Sequence, residues 1–223
     1  MTRALLAVAL LIASAFHGNG HARRLDDELE LRGRAQVTGP RAAGRQWAPM
    51  DFDVAIMLPN GLTYCALPDD RNGMDRAQTF FVAPPLECRG GRPVIQAGAR
   101  SSPSLHVEVW PNHFDDKRAR EFAARRCSRP QPVPVTLLGH AAIGCRIERS
   151  DTVLISVFDL VTIDRQPSDA PPAGIITLTL RTTASQVSAD LKVFGAFTSG
   201  VYLCSRSATP VNHRSRCPAD GPW

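Results

Sequence analysis

This chain lacks the patterns from which a chemical activity is usually inferred. It has no G-x-S-x-G sequence to present a nucleophilic serine, and no glycine pattern that binds phosphates or dinucleotides. It also has no C-x-x-C pair and no histidine at ligand spacing from a cysteine, so a zinc site is not indicated. We therefore predict no metal and no cofactor, and the sequence favours binding over catalysis.

Long apolar runs, aromatic residues and lysine are also scarce. After residue 22 no stretch reaches the ~18 apolar residues that a transmembrane helix needs, so none is predicted. Aromatic residues make up 6% of the chain and are not interleaved with its cations, which argues against a specific nucleic-acid site. Lys117 and Lys192 stand against 24 arginines, an excess that we attribute first to genomic base composition.

The first residues have the pattern of a secretory signal. Arg3 precedes a short apolar run over residues 4–12, and small residues that suit cleavage end at Ala15 and at Ala22. Removal of residues 1–22 lowers the formal charge from +5 to +4, because only Arg3 is lost. We predict a periplasmic or secreted protein. Its mature chain then has a flexible N-terminal segment over 23–46 and a single α+β domain over 47–223, with a disulfide-tied tail.

An even number of cysteines in an exported chain indicates disulfide bonds. Pairing in sequence order closes three local loops, each worth about 3 kcal/mol in the chain-entropy model. Other pairings of the six cysteines stay open at this point. The cysteines predicted to form disulfides are Cys65, Cys88, Cys127, Cys145, Cys204 and Cys217.

Hydrophobic periodicity predicts a sheet in the second half of the chain. Residues 141–148 alternate as a half-buried strand, whereas 153–163 is apolar on both faces and is placed at the centre of the sheet. Asn60-Gly61 accepts positive φ and predicts a hairpin over 51–67. The other predicted strands are 79–82, 105–110 and 176–181, and no clear element is predicted over 88–103.

Two helices are predicted. The first runs over 116–127, is capped by Asp115 and is stopped by the prolines that follow residue 129. The second runs over 187–204, with Thr183 or Ser185 as its cap, and an alternative prediction makes 192–203 a strand. The apolar stripe of the second helix is formed by Val187, Leu191, Phe194, Phe197, Val201 and Cys204.

Together these elements predict an α+β fold: an antiparallel sheet of about six strands with one basic helix and one C-terminal amphipathic helix packed on it. Their order over residues 51–204 resembles that of the PsbP-like α/β sandwich, in which helices lie on the faces of an antiparallel sheet. This resemblance implies an accessory or binding role rather than chemistry.

The first helix supplies the predicted binding surface. At 100° per residue, Arg118, Arg125 and Arg129 fall on one stripe. An acidic protein, a phosphorylated headgroup or nucleic acid could use these cations. We predict that this stripe, with the loop over 88–102, binds another protein in the periplasm or outside the cell, as an accessory factor, inhibitor or immunity-type protein would. The competing interpretation is a solvated helix face whose C-terminal cations interact with the helix dipole.

A secreted hydrolase is the alternative function, and its site would lie near His106, Trp110 and His113, because histidine is the commonest general acid or base. Asp159 lies among apolar neighbours, where a structural partner for an arginine is the favoured interpretation over a catalytic acid. A third hypothesis, an envelope structural protein, predicts self-association through a sheet edge.

Overall fold

The computed structural model describes residues 37–49, 52–66, 77–85, 87–94, 103–112, 115–161 and 174–204. The chain divides into two compact units, Met1–Val37 and Thr38–Trp223, and all the described residues except Val37 belong to the second unit. The predicted signal peptide lies outside the described residues. No helix within the described part of the chain is both long and apolar enough to cross a membrane.

Short strands come first in the chain, and the long strands and both helices follow. The elements are β1 (Val37–Thr38), β2 (Arg41–Ala42), β3 (Gln46–Trp47), β4 (Val54–Met57), β5 (Thr63–Tyr64), β6 (Ala77–Phe81), β7 (Cys88–Arg89), β8 (Arg92–Pro93), β9 (Ser104–Pro111), α1 (Ala119–Arg126), β10 (Gln131–Leu137), β11 (His140–Arg149), β12 (Thr152–Val161), β13 (Gly174–Thr183), α2 (Val187–Ser199) and β14 (Val201–Leu203). Two of these strands, β1 and β2, fall inside the segment predicted to be flexible.

The predicted α+β class is confirmed, although the main sheet has eight strands where the sequence predicted about six. Its order is β10-β11-β12-β13-β9-β6-β5-β2, and each strand pairs antiparallel with its neighbours. β12 lies between β11 and β13 and is apolar on both faces, as its sequence predicted. A second, three-stranded sheet has the order β14-β4-β3.

The two helices lie on opposite faces of the main sheet. Phe194 and Phe197 of α2 are fully buried in the larger core, together with the β13 residues Leu178 and Leu180. Phe122 of α1 packs in a separate core against neighbours that include Phe158 and Ile175. Because side chains alternate between the faces of a strand, these two sets belong to opposite faces. The result is a sheet between two helices, as the order of elements predicted.

The predicted hairpin over 51–67 is wrong. The chain does turn at Gly61, which has φ +82°, but the strands on either side of the turn do not pair with each other. β4 pairs with β3 and β14, whereas β5 pairs with β2 and β6. The turn therefore passes the chain from one sheet to the other.

β10 was not predicted, because Pro132 and Pro134 lie within it. It is an edge strand, and an edge position tolerates residues that cannot donate a ladder hydrogen bond. The pairing with β11 also shifts register between Pro132 and Thr136. The β7–β8 hairpin, which turns through Gly90 and Gly91 at φ +55° and +74°, was likewise missed.

Both helices are shorter than predicted, and neither begins at the predicted cap. The residue immediately before α1 is Arg118 rather than Asp115, and the residue immediately before α2 is Gln186 rather than Thr183 or Ser185. Neither the Arg118 nor the Gln186 side chain forms a capping hydrogen bond. α2 ends at Ser199, and residues 201–203 form a strand that pairs with β4. The alternative prediction of a strand over 192–203 therefore holds only for its last three residues.

Two of the three predicted disulfides are confirmed. Cys65 and Cys88 are bonded with their Cα atoms 5.5 Å apart, and Cys127 and Cys145 with theirs 5.7 Å apart. Cys204 is also disulfide-bonded, while Cys217, its predicted partner, lies outside the described residues. The Cys127–Cys145 bond ties the end of α1 to β11, which fixes the helix on the sheet.

Candidate basic surface and sheet face

Arg118, Arg125 and Arg129 do not share one helix. α1 spans only Ala119–Arg126, and Cys127 after it is extended, so the continuous stripe predicted from helical periodicity does not form. All three arginines are exposed. They flank a short helix, one before it, one in its last turn and one after it, and whether they bind a partner remains a prediction.

The α1 helix is held in place by contacts that the sequence did not indicate. The Nε of Arg125 donates to Oδ1 of Asp116 at 2.9 Å, and the Asp116 side chain is 2% exposed. Asn112 donates its side-chain amide to the Asp116 carbonyl at 2.9 Å. One of the predicted binding cations is therefore engaged within the protein, and Asp116 anchors the segment that enters the helix.

Arg126 contacts two aromatic rings beside α1, which the sequence pattern had not indicated. Its guanidinium lies 4.4 Å from the centre of the Trp110 ring and 5.3 Å from that of Phe122. Contacts of this kind are worth about 0.5–1 kcal/mol at exposed sites. The spacing of Phe122 and Arg126, four residues apart on one helix, was the available signal.

The proposed hydrolase residues do not converge within the described part of the chain. His106 and Trp110 share one face of β9 but are four residues apart, which separates them by roughly 13 Å along a strand. His106 is engaged with Thr79, whose Oγ1 lies 3.0 Å from Nδ1 of the ring. His113 lies outside the described residues, and no metal-binding cluster occurs among the described side chains.

Burial lowers the pKa of His106, and the nearby Glu108 carboxylate only partly offsets this effect. The folded pKa thus lies below the unfolded value of about 6.5, so the folded state favours the neutral ring. We expect His106 to contribute stability above that value and to lose it as the pH falls towards the folded pKa. The substitution His106→Asn should remove this loss of stability at low pH. Urea unfolding at about pH 7.5 and about pH 5 tests it; an identical pH dependence in both proteins would contradict the expectation.

Asp159 has a different neighbour from the one predicted. Burial raises its pKa, while the hydrogen bond from the Leu160 amide, 2.8 Å from Oδ1, and the charge of His140 lower it. Among the described residues, the charged side chain that acts on Asp159 is His140 rather than the arginine that we predicted.

The α1 face of the main sheet also carries a cavity that the sequence did not indicate. It has a volume of about 280 Å³ and lies at the end of three strands. Ile147 pairs with Leu154, and Leu154 with Arg181, so these three side chains form one row across β11, β12 and β13. The lining residues are Ile147, Arg149, Thr152, Leu154 and Arg181.

Comparisons with known proteins give no family for this chain. No protein-family model matches it, and no curated protein matches its sequence. Three solved structures resemble it with TM-scores below 0.5. A protein of Bacteroides thetaiotaomicron has a TM-score of 0.42 and 6% identity, over 73% of this chain and 49% of that one, so this chain spans about half its length. LpqN, which is involved in cell envelope biogenesis of Mycobacterium tuberculosis, has a TM-score of 0.39 and 12% sequence identity, over 75% of this chain and 90% of that one. The Ran-binding protein Mog1p of Saccharomyces cerevisiae has a TM-score of 0.33 and 9% sequence identity, over 73% of this chain and 96% of that one.

Proposed function

We propose that this protein works by binding another protein in an oxidising compartment, as an accessory factor rather than as an enzyme. Its disulfides support the compartment, because such bonds persist mainly in exported proteins. The antiparallel sheet with a helix on each face supports the PsbP-like resemblance and the accessory role that it implies. The binding surface is the α1 segment with Arg118, Arg125 and Arg129.

One observation carries this proposal: the cations of the α1 segment lie on, or directly beside, a short helix that is fixed on the sheet. Phe122 and Ala123 are buried under α1, the Cys127–Cys145 bond closes its end, and Arg126 stacks on Trp110. A rigid support lowers the ordering entropy that binding must overcome. Over residues 115–129 six cations face three acids, and one of those acids, Asp116, is already paired with Arg125.

The test compares two double variants with the same change in charge. Arg118→Glu/Arg129→Glu alters the proposed surface and leaves the Arg125–Asp116 ion pair in place. Arg45→Glu/Lys192→Glu alters two exposed cations outside both α1 and the 88–102 loop and serves as the matched control. Both variants are immobilised, incubated with periplasmic extract and compared with the wild-type protein.

We expect the α1 variant to lose partner recovery, and the control to retain it, because charge reversal in an interface places like charges together. Binding of a defined acidic probe, a labelled oligoglutamate, should weaken with added salt in the wild type and be weaker still in the α1 variant. Equal recovery by the two variants would exclude this surface, since only their positions differ.

A further inference from the structure

The end of β11 offers backbone groups that no other strand among the described residues uses. The last β10 residue paired with β11 is Gln131, opposite Gly144, so the partner strand stops there. Residues 145–149 pair with β12 on one side, and within the described ranges no strand lies on the other. In an antiparallel ladder, every second residue directs its N–H and C=O away from its partner, so this edge can accept another strand.

Beside this edge an apolar side chain is exposed. Ile147 is 45% exposed, and Leu203 of β14 is the other large hydrophobic side chain exposed among the described residues. Across the ladder Ile147 meets Leu154, which is half-buried, and together they form an apolar floor for the cavity. A strand added to the β11 edge would place alternate side chains on this same face.

Two arginines give the cavity its charge. Arg149 and Arg181 line it, no acidic residue is among its described lining residues, and neither arginine forms an ion pair within the described part of the chain. Two acids adjoin lining residues in the sequence: Glu148 belongs to the opposite face and pairs with Arg146 at 2.7 Å, and Asp151 in the turn is not among the lining residues. The cavity therefore complements a negative charge.

We propose that the β11 edge and this cavity form a binding site for an extended peptide segment of a partner protein. The segment pairs with residues 145–149, packs one apolar side chain on Ile147 and places an acidic side chain two residues away against Arg149 and Arg181. This mode of recognition joins main-chain hydrogen bonds to side-chain pockets at alternate positions. It uses none of the arginines of the α1 surface, although Cys145 at the start of this edge is bonded to Cys127 at the end of α1, and it does not rest on the function proposed above.

A peptide fits these observations better than a small amphiphile. A cavity of about 280 Å³ is close to the lower limit of about 300 Å³ for pockets that bury a small ligand. It has room for one or two side chains, and a small molecule there would leave the edge of β11 unused. The two arginines of the cavity also favour a peptide with an acidic side chain, because arginine pairs well with carboxylates.

The test selects peptides from a random nonapeptide library displayed on phage. We expect the wild-type protein to enrich peptides with Asp or Glu two residues from Val, Ile or Leu. The consensus peptide is then synthesised, and its affinity is measured for the wild type, for Arg149→Glu/Arg181→Glu and for the control Arg45→Glu/Lys192→Glu. The cavity variant should lose at least about tenfold in affinity, and the control should not.

Two further measurements separate this mode from others. N-methylation of alternate peptide residues should abolish binding, because it removes edge hydrogen bonds and leaves every side chain in place. Amide resonances of residues 145–149 should shift when the unmodified peptide is added. The proposal is overturned if no peptide is enriched, if the cavity variant binds as well as the wild type, or if the N-methylated peptide binds equally well, which would indicate a pocket without strand pairing.

Discussion

Replacing Gly144 with alanine is expected to destabilise the protein by about 3 kcal/mol or more, which is a large part of the net stability of an ordinary domain. A Cβ atom at this position would overlap the Ser156 carbonyl oxygen on the neighbouring strand and would lie 3.1 Å from Cγ2 of Val133. The overlapping atom belongs to the backbone of the central strand, so it cannot move aside without disturbing β12. Urea unfolding followed by circular dichroism measures the effect.

Gly195 provides the matched control, because the chemical change is identical. It lies inside α2, and the nearest atom to an added Cβ is Cγ1 of Val135 at 3.7 Å, an ordinary contact distance. Gly195→Ala should raise stability by up to about 1 kcal/mol through helix propensity. Opposite signs for the two substitutions are expected; a similar small effect of both would show that β11 and β12 do not approach as described.

Removing the Cys127–Cys145 bond, as Cys127→Ala/Cys145→Ala, is expected to reduce stability by about 3 kcal/mol, given the 18-residue separation. The loss should be concentrated in α1, because this bond joins the end of the helix to β11. Amide hydrogen exchange should therefore quicken in α1 much more than in β12 or β13. Binding of oligoglutamate should weaken as well, although no arginine has been changed.

The other disulfide gives the comparison. Cys65→Ala/Cys88→Ala removes a bond of 23-residue separation that lies outside α1. It should lower stability by a similar amount, while exchange in α1 stays close to that of the intact protein. Equal acceleration of α1 exchange in both variants would contradict a local role for the Cys127–Cys145 bond.

Local patterns were sufficient to predict the centre of the sheet. β11 and β13 were predicted because alternation of apolar and polar residues reports which side chains face a core, and β12 was predicted and placed centrally because both of its faces are apolar. The Cys65–Cys88 and Cys127–Cys145 bonds were predicted because each joins two cysteines that are consecutive in the sequence. Each of these features involves residues of one strand, or two cysteines that are close together in the sequence.

The wrong and missed predictions concern features that depend on contacts between distant segments of the chain. A turn at Gly61 indicates that the chain reverses, but it does not decide which sheet each flanking strand joins, so β4 and β5 were wrongly paired. β10 was missed because proline excludes a central strand but not an edge. The cavity was missed because it combines residues from β11, β12 and β13, and their register across three strands is not a property of any one of them.

The order in which the cysteines pair has a consequence for how the protein matures. Each bond described here joins two cysteines with no other cysteine between them. A chain that crosses a membrane with its N-terminus first would present Cys65 and Cys88 to an oxidant before Cys127 emerges. If this chain is exported as proposed, the two described bonds can form one after the other, and a thiol oxidase without an isomerase would be enough for them.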